Sequence, residues 1–192
     1  MELEKLYEQC RTYREFRQDP VPRELMEKIL RVASRRSSAR NAQPNRFVAV
    51  LSPEKVAELQ PFVKWAASIP NNGGVPRPGM EPVAWIAVST IAQSGDSFAY
   101  IDMGIAVDAI VLTACEAGYG SCIFGAINAP KIKEALAIPE EQELKLMIAL
   151  GKPAHESTIM GPREDGKLAY IRDKNRNYHV PKHPLDEVAR FV

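Results

Sequence analysis

Two arginines and a hydroxyl fall within four residues at Arg11-Thr12-Tyr13-Arg14. Guanidinium forks match phosphate oxygens and a hydroxyl adds a donor, so the segment can act as a phosphate clamp. It also fits a solvated charged corner, because Glu8 and Glu15 are near enough in sequence to pair with the arginines. A second group lies at 37–44. There Ser38, Asn41 and Gln43, with free backbone amides, can hydrogen-bond the edge of a planar heterocycle, or serve as an ordinary polar connector. Arg31, Arg35, Arg36 and Arg40 make this stretch basic, but no aromatic residues interleave with them and no nucleic-acid module is legible. The third group is the run 118–128, whose Gly118, Gly120 and Gly125 permit close backbone approach to a ligand. Its spacing is not that of a dinucleotide fingerprint. Lys182, in Val180-Pro181-Lys182-His183, is either a further phosphate ligand or a surface lysine. His155, His179 and His183 fall into no metal or triad pattern, so no side chain is assigned as acid, base or nucleophile.

The elements that must position these groups can be read from periodicity. Residues 2–10 form a short helix with Leu3, Leu6 and Tyr7 on one face. Pro20 and Pro22 then force an extended entry into a helix at 23–34, with Leu25, Met26, Ile29, Leu30 and Ala33 at helical spacing. The loop at 37–45 leads into a strand at 46–51, and Ser52-Pro53 starts another helix. Residues 69–82, rich in Pro, Gly and Asn, read as a variable loop able to act as a lid. A β-rich core strand follows at 83–90. The segment 98–118 is a helix apolar on nearly every face, which must be covered on every face; a second subunit is a natural source of that cover. Gly118-Tyr119-Gly120 breaks it. Residues 121–124 are extended, Asn128-Ala129-Pro130 opens a helix, and 143–150 is a strand. The tail, 163–192, holds a hairpin of 168–171 and 178–180. Strands interleaved with helices place the 192 residues in one α+β or α/β domain.

Bulk properties narrow the function classes. Hydrophobic residues are 45% of the chain, enough for a sizeable core. With 25 basic and 24 acidic side chains the net charge is +1, which gives no global attraction to nucleic acid or anionic lipid. Charges interrupt the N-terminus at once, so no leader core is expected. The best apolar run, 104–114, contains Asp108, so no membrane span is expected either. Cys10, Cys115 and Cys122 have no C-x-x-C spacing; their odd, sparse count suits a reducing cytoplasm and the role of small buried hydrophobes.

Taken in order, the four groups resemble the nitroreductase family. That family carries an R-R-S-x-R-x-F motif, a P-S-A-x-N-x-Q-P-W loop, a long apolar helix ending in G-x-G-S/T, and a basic residue near the C-terminus. Here they stand as Cys10-Arg11-Thr12-Tyr13-Arg14-Glu15-Phe16, Ser37-Ser38-Ala39-Arg40-Asn41-Ala42-Gln43-Pro44-Asn45, a helix running into Gly118-Tyr119-Gly120-Ser121, and Lys182. The resemblance implies an α+β fold, a central mostly antiparallel sheet flanked by helices, and an intertwined obligate homodimer with FMN in two interfacial sites. By the same token Arg11, Thr12, Arg14 and Lys182 would hold the FMN phosphate and ribityl end. Ser38, Asn41 and Gln43 would meet the flavin from the partner subunit, and Gly125, Ala126 and Ile127 would set backbone groups near its reactive nitrogen. Four positions depart from the motifs: Cys10 replaces an arginine, Thr12 a serine (keeping the hydroxyl), Ser37 a proline and Asn45 a tryptophan. The implied reaction is ping-pong. NAD(P)H gives hydride to FMN, and an electron-poor acceptor such as a nitroaromatic or quinone takes it. The alternatives are another reduction on the same flavin (dehalogenation or flavin fragmentation) and a non-catalytic flavin carrier.

Overall fold

A computed structural model describes residues 2–65, 74–91 and 96–192. Its centre is a sheet in which β3 (Ala84–Thr90) lies between β2 (Asn45–Val50) and the long β5 (Glu143–Pro153). The two-residue β1 (Phe16–Arg17) and β4 (Gly120–Phe124) also pair with β5, and every pairing in this sheet is antiparallel. All seven residues of β3 are buried. Successive strand side chains point to opposite faces. Trp85 and Ala87 therefore join one core with Val56, Leu59, Phe124, Ile132, Met147 and Ala149. Ala84, Ile86 and Val88 join a second core with Met26, Ile29, Met103, Val107, Ile110, Ile148 and Leu150. The first core is closed by α3 (Pro53–Leu59) and α5 (Ala129–Leu136), the second by α2 (Arg23–Ser34) and α4 (Ser97–Glu116). The fold is thus α+β, as expected.

Local chemistry explains most boundaries. Pro22 precedes the first turn of α2, whose buried Met26, Ile29 and Ala33 fall on one face. Ser52 Oγ accepts from Lys55 N–H at 3.2 Å to cap α3. Helix α4 starts at Asp96, whose Oδ1 accepts from Phe98 N–H at 3.0 Å. It ends with Gly118 at φ 79°, Gly118 N–H bonded to Cys115 O and Tyr119 N–H bonded to Ala114 O, the paired closing bonds of a left-handed C-terminal cap. By length and mean hydropathy this helix is sufficient to cross a bilayer, so a single Asp108 was too strict a ground for excluding a span. Its packing is what places it in a protein core: Met103, Val107, Ile110 and Ala114 are all buried against α2 and the sheet.

A smaller sheet completes the molecule. In it β6 (Ser157–Met160) runs parallel to β8 (Tyr178–Pro181), and β7 (Ile171–Arg172) pairs antiparallel with β8. The expected hairpin is therefore present in a shorter form, its first strand Ile171–Arg172 rather than 168–171, with β6 an addition that sequence periodicity did not reveal. Helices α1 (Leu3–Gln9) and α6 (Leu185–Val188) lie at the two ends of the chain.

Candidate active site

The Arg11–Arg14 segment runs extended along the start of β4. Thr12 forms a bridge with Ser121, and Tyr13 N–H donates to Ser121 O at 2.8 Å. This approach is possible because residue 120 is glycine. A Cβ there would lie 2.6 Å from Tyr13 Cδ2 and 3.0 Å from Pro153 Cγ. The sequence suggested that Gly120 makes room for a ligand; the structure shows that it makes room for the motif itself.

The two arginines face different neighbours. Arg14 N–H donates to His155 Nε2 at 2.9 Å. Its guanidinium carbon stands 4.8 Å from the Tyr178 ring centroid and 5.0 Å from that of Tyr170, within cation–π range. His155 Nδ1 lies 2.9 Å from Glu156 O. With Nε2 accepting, Nδ1 must carry the proton, so the ring is neutral. Burial favours that state and pushes His155 down, against the upward effect of the Glu156 carbonyl. Arg11 instead turns back to Tyr7 O at the end of α1. The Nε atoms of both arginines are buried without a protein acceptor. Neither pairs with Glu15. That carboxylate is buried and bridges Arg77 and Arg176, each at 2.7 Å. Burial alone would raise Glu15, but the Arg77 hydrogen bonds and the Arg176 charge outweigh it and hold Glu15 below the usual range. The charged-corner alternative thus assigned Glu15 the wrong partners. Of the 69–82 loop, residues 69–73 lie outside the described residues. The rest is tied to the body through Arg77 and through Phe16 N–H donating to Met80 O at 2.9 Å.

The second group is a tight, strained loop. Arg40, Asn41 and Gln43 all have left-handed φ, at 55°, 54° and 46°. Ser38 Oγ accepts from Gln43 N–H at 3.0 Å, Ser38 O from Asn41 N–H at 3.0 Å, and Gln43 Nε2 donates to Asn41 Oδ1 at 3.2 Å. The anchor is Asp102, 4% exposed in α4, whose Oδ1 accepts from Ala39 N–H at 2.9 Å. Asn45 Nδ2 donates to the Asp102 carbonyl at 3.1 Å, and its Oδ1 is buried without a partner. Ser38, Gln43, Asn45 and Asp102 line one cleft of ≈ 200 Å³.

Gly125, Ala126 and Ile127 follow the far end of β4. Ala126 O accepts from Lys64 N–H at 2.9 Å and Ile127 bridges Val63, so this turn is fixed by the 62–64 segment. Lys182 is exposed just beyond β8, its N–H donating to Met160 O at 3.1 Å. It leaves the same strand whose Tyr178 packs on Arg14. The ten candidate residues therefore occupy the two ends of β4, the loop against α4, and the end of β8. Sequence reasoning missed the residues that hold them: Asp102, His155, Tyr170 and Tyr178. An aspartate amid an apolar helix was the one available signal; the others depend on contacts far apart in the chain.

The nitroreductase family model matches residues 7–152. The chain belongs to that family. It is a family of oxidoreductases, and the match spans both arginines, the 38–43 loop, α4 and β4, ending within β5; Lys182 lies beyond it. Solved structures agree. A nitroreductase family protein from Clostridium novyi NT is 28% identical with a TM-score of 0.68, covering 80% of this chain and 87% of that one. One from Streptococcus pneumoniae TIGR4 is 18% identical, TM-score 0.68, with all of both chains covered. An FMN-dependent nitroreductase from Clostridium difficile R20291 is 22% identical, TM-score 0.65, covering 80% of this chain and 89% of that one.

Proposed function

We propose that this protein is an FMN-dependent oxidoreductase that takes hydride from NAD(P)H and passes it to an electron-poor acceptor such as a nitroaromatic or quinone, acting as a homodimer. The observation that carries the reading is the pair of buried, acceptor-less Nε donors on Arg11 and Arg14, in a segment fastened to β4. A buried donor without an acceptor is costly, and a terminal phosphate is an anion that relieves it. The span also fits. Gly125 lies four residues beyond Ser121, about 13 Å at 3.3–3.4 Å per strand residue, so a long ligand laid along β4 reaches from the motif to the Gly125 turn. FMN, when bound, supplies the hydride-accepting and hydride-donating ring.

The protein's part is binding and orientation. Arg11, Thr12 and Arg14, with Lys182 adding charge, hold the phosphate and ribityl end. His155, by accepting from Arg14 N–H, sets where that backbone lies. Ser38, Asn41 and Gln43 offer polar groups on a loop whose geometry is set in advance by Asp102. A preset edge needs no reorganisation when the ligand arrives. The dimer is supported by the face of α4 that the chain leaves open. Phe98, Tyr100 and Ile101 are 51%, 52% and 57% exposed there, and Gly104 has nothing within 4 Å of a would-be Cβ.

The test is direct. The purified protein should carry a flavin absorbance, and chromatography of the released chromophore should give FMN. NADH or NADPH should bleach it and a nitroaromatic or quinone restore it. Recovery of FAD, or no flavin after reconstitution with FMN, refutes the cofactor. A flavin that no nicotinamide reduces would make the protein a carrier.

A further inference from the structure

Of the three cysteines only Cys122 is buried, as expected of them all; Cys10 and Cys115 are half-buried. A cleft of ≈ 410 Å³ lies between α3, the chain leaving β1 and the chain entering β3. That size is typical of a small-molecule site. None of the ten candidate flavin residues lines it. It sits where β2 ends and β3 begins, and β5 stands between β3 and β4, the strand beside which the candidate cofactor site runs.

The walls are apolar: Pro20, Leu51, Val56 of α3, and Pro82 and Val83 ahead of β3. The prolines have no N–H to offer a ligand. Three polar residues complete the lining, and each presents an acceptor. Gln60 Oε1 is buried without a donor. The carboxylate of half-buried Glu81 has neither a hydrogen bond nor an ion pair among the described residues. Gln18 uses its amide nitrogen within the protein, Nε2 donating to Glu81 O at 3.0 Å and to Phe16 O at 3.3 Å, which leaves its Oε1. Among the described residues no lysine or arginine lines the cleft.

A buried acceptor without a donor is unfavourable, and so is a partly desolvated carboxylate without a counter-charge. One kind of ligand relieves both. Its body is apolar and covers Leu51, Val56 and Val83, and its ammonium group brings N–H donors to the Gln60 carbonyl and a positive charge to Glu81. A carboxylate or phosphate would instead meet Glu81 with like charge. We propose that this cleft is a second ligand site, separate from the flavin site, for a small apolar amine in its protonated form.

The experiment titrates the purified protein at neutral pH with three probes of one shape: 2-phenylethylamine, 2-phenylethanol and 3-phenylpropionate. Calorimetry gives the affinities, and methyl NMR locates the bound probe. The expected result is saturable binding of the amine with shifts at the Val56 and Val83 methyls, weaker binding of the alcohol and none of the carboxylate. Glu81→Gln should weaken the amine about threefold to tenfold, the range for a partly exposed charge pair, and abolish the preference over the alcohol. Ala57 is exposed on α3 at the cleft, so Ala57→Trp can block the cleft without entering the core, and should abolish binding. Circular dichroism verifies that both variants fold. Four results would each overturn the proposal: no saturable amine binding at millimolar concentration, an alcohol bound as tightly as the amine, methyl shifts confined to other parts of the molecule, or unchanged binding in Ala57→Trp. No readout requires reduction of a flavin, so the outcome stands apart from that of the proposed reaction.

Discussion

Gly120→Ala tests how the Arg11–Arg14 segment, the proposed phosphate site, is held. A Cβ at position 120 would sit 2.6 Å from Tyr13 Cδ2 and 2.8 Å from Tyr13 Cγ, distances that require one side to move. The Tyr13 ring cannot swing freely, because its own N–H is bonded to Ser121 O and its face packs 5.3 Å from His155. Forcing an extra carbon into such a contact costs about 1–3 kcal/mol. The alanine recovers about 0.5–1 kcal/mol of backbone entropy, so the net loss is roughly 0–2.5 kcal/mol, with the upper half expected because two further atoms crowd the site. At about 2–4 °C per kcal/mol for a chain of this size, the melting temperature should fall by several degrees. The cause can be isolated with Tyr13→Ala, which removes the ring and with it the two shortest contacts, leaving Pro153 Cγ at 3.0 Å. In that background Gly120→Ala should be close to neutral. FMN titration of the refolded or apo protein adds a second readout: a displaced Tyr13 carries Arg11, Thr12 and Arg14 with it, so affinity should drop in the single variant more than stability alone explains. An equal destabilisation in both backgrounds would refute the assignment of Gly120 to motif packing.

Arg14→Ala should raise the FMN dissociation constant about tenfold to a hundredfold, from the roughly 1.5–3 kcal/mol of a charged hydrogen bond, while Arg35→Ala at the end of α2 should leave it unchanged; fluorescence titration measures both. His155 has a lowered folded-state value, so its contribution is complete above the unfolded value of about 6.5 and drains as pH falls below it; thermal stability of the wild type should decline from pH 7 to 5 more steeply than that of His155→Gln. Glu15 is also lowered, so its contribution is present above about pH 4.3 and is lost in stronger acid; Glu15→Gln, which removes the charge that Arg77 and Arg176 both meet, should lower stability at pH 7 and flatten the acid limb of the stability profile, seen in urea melts. Ile101→Glu on the open face of α4 should shift sedimentation from dimer to monomer at micromolar concentration, and an unchanged dimer would place the interface elsewhere.

What was legible follows from the range of the forces involved. Helix α2 was read to its end residues, because Pro22 and a 3.6-residue apolar period are both local. The strand β3 was read from its continuous apolar run. By contrast β1 has two residues, too few for a period, and is held by a partner 137 positions away, Phe16 opposite Pro153. The Arg11–Arg14 cluster itself was visible as residue types, but its environment was not. Glu15 lies beside Arg14 in sequence yet pairs with Arg77 and Arg176, and Arg14 is caged by Tyr170 and Tyr178, some 160 residues on. Neighbouring charges in sequence identify a site's ingredients, while tertiary packing decides which of them are left free for a ligand.

The 38–43 loop shows how that freedom is maintained. Three non-glycine residues with left-handed φ cost on the order of 1–3 kcal/mol each, least for Asn41, whose side chain tolerates that region. The offset comes from outside the loop and from its own closing bonds: the Asp102 carboxylate on Ala39 N–H, Ser38 Oγ on Gln43 N–H, and Pro44 buried behind them. Asp102 is a buried carboxylate in the most apolar helix of the chain, an expensive place for a charge unless it is hydrogen-bonded. The strained loop and the buried acid therefore account for one another. Each is unfavourable alone, and together they hold Asn41 and Gln43 exposed in a single conformation, which is the condition a preset flavin-binding edge requires.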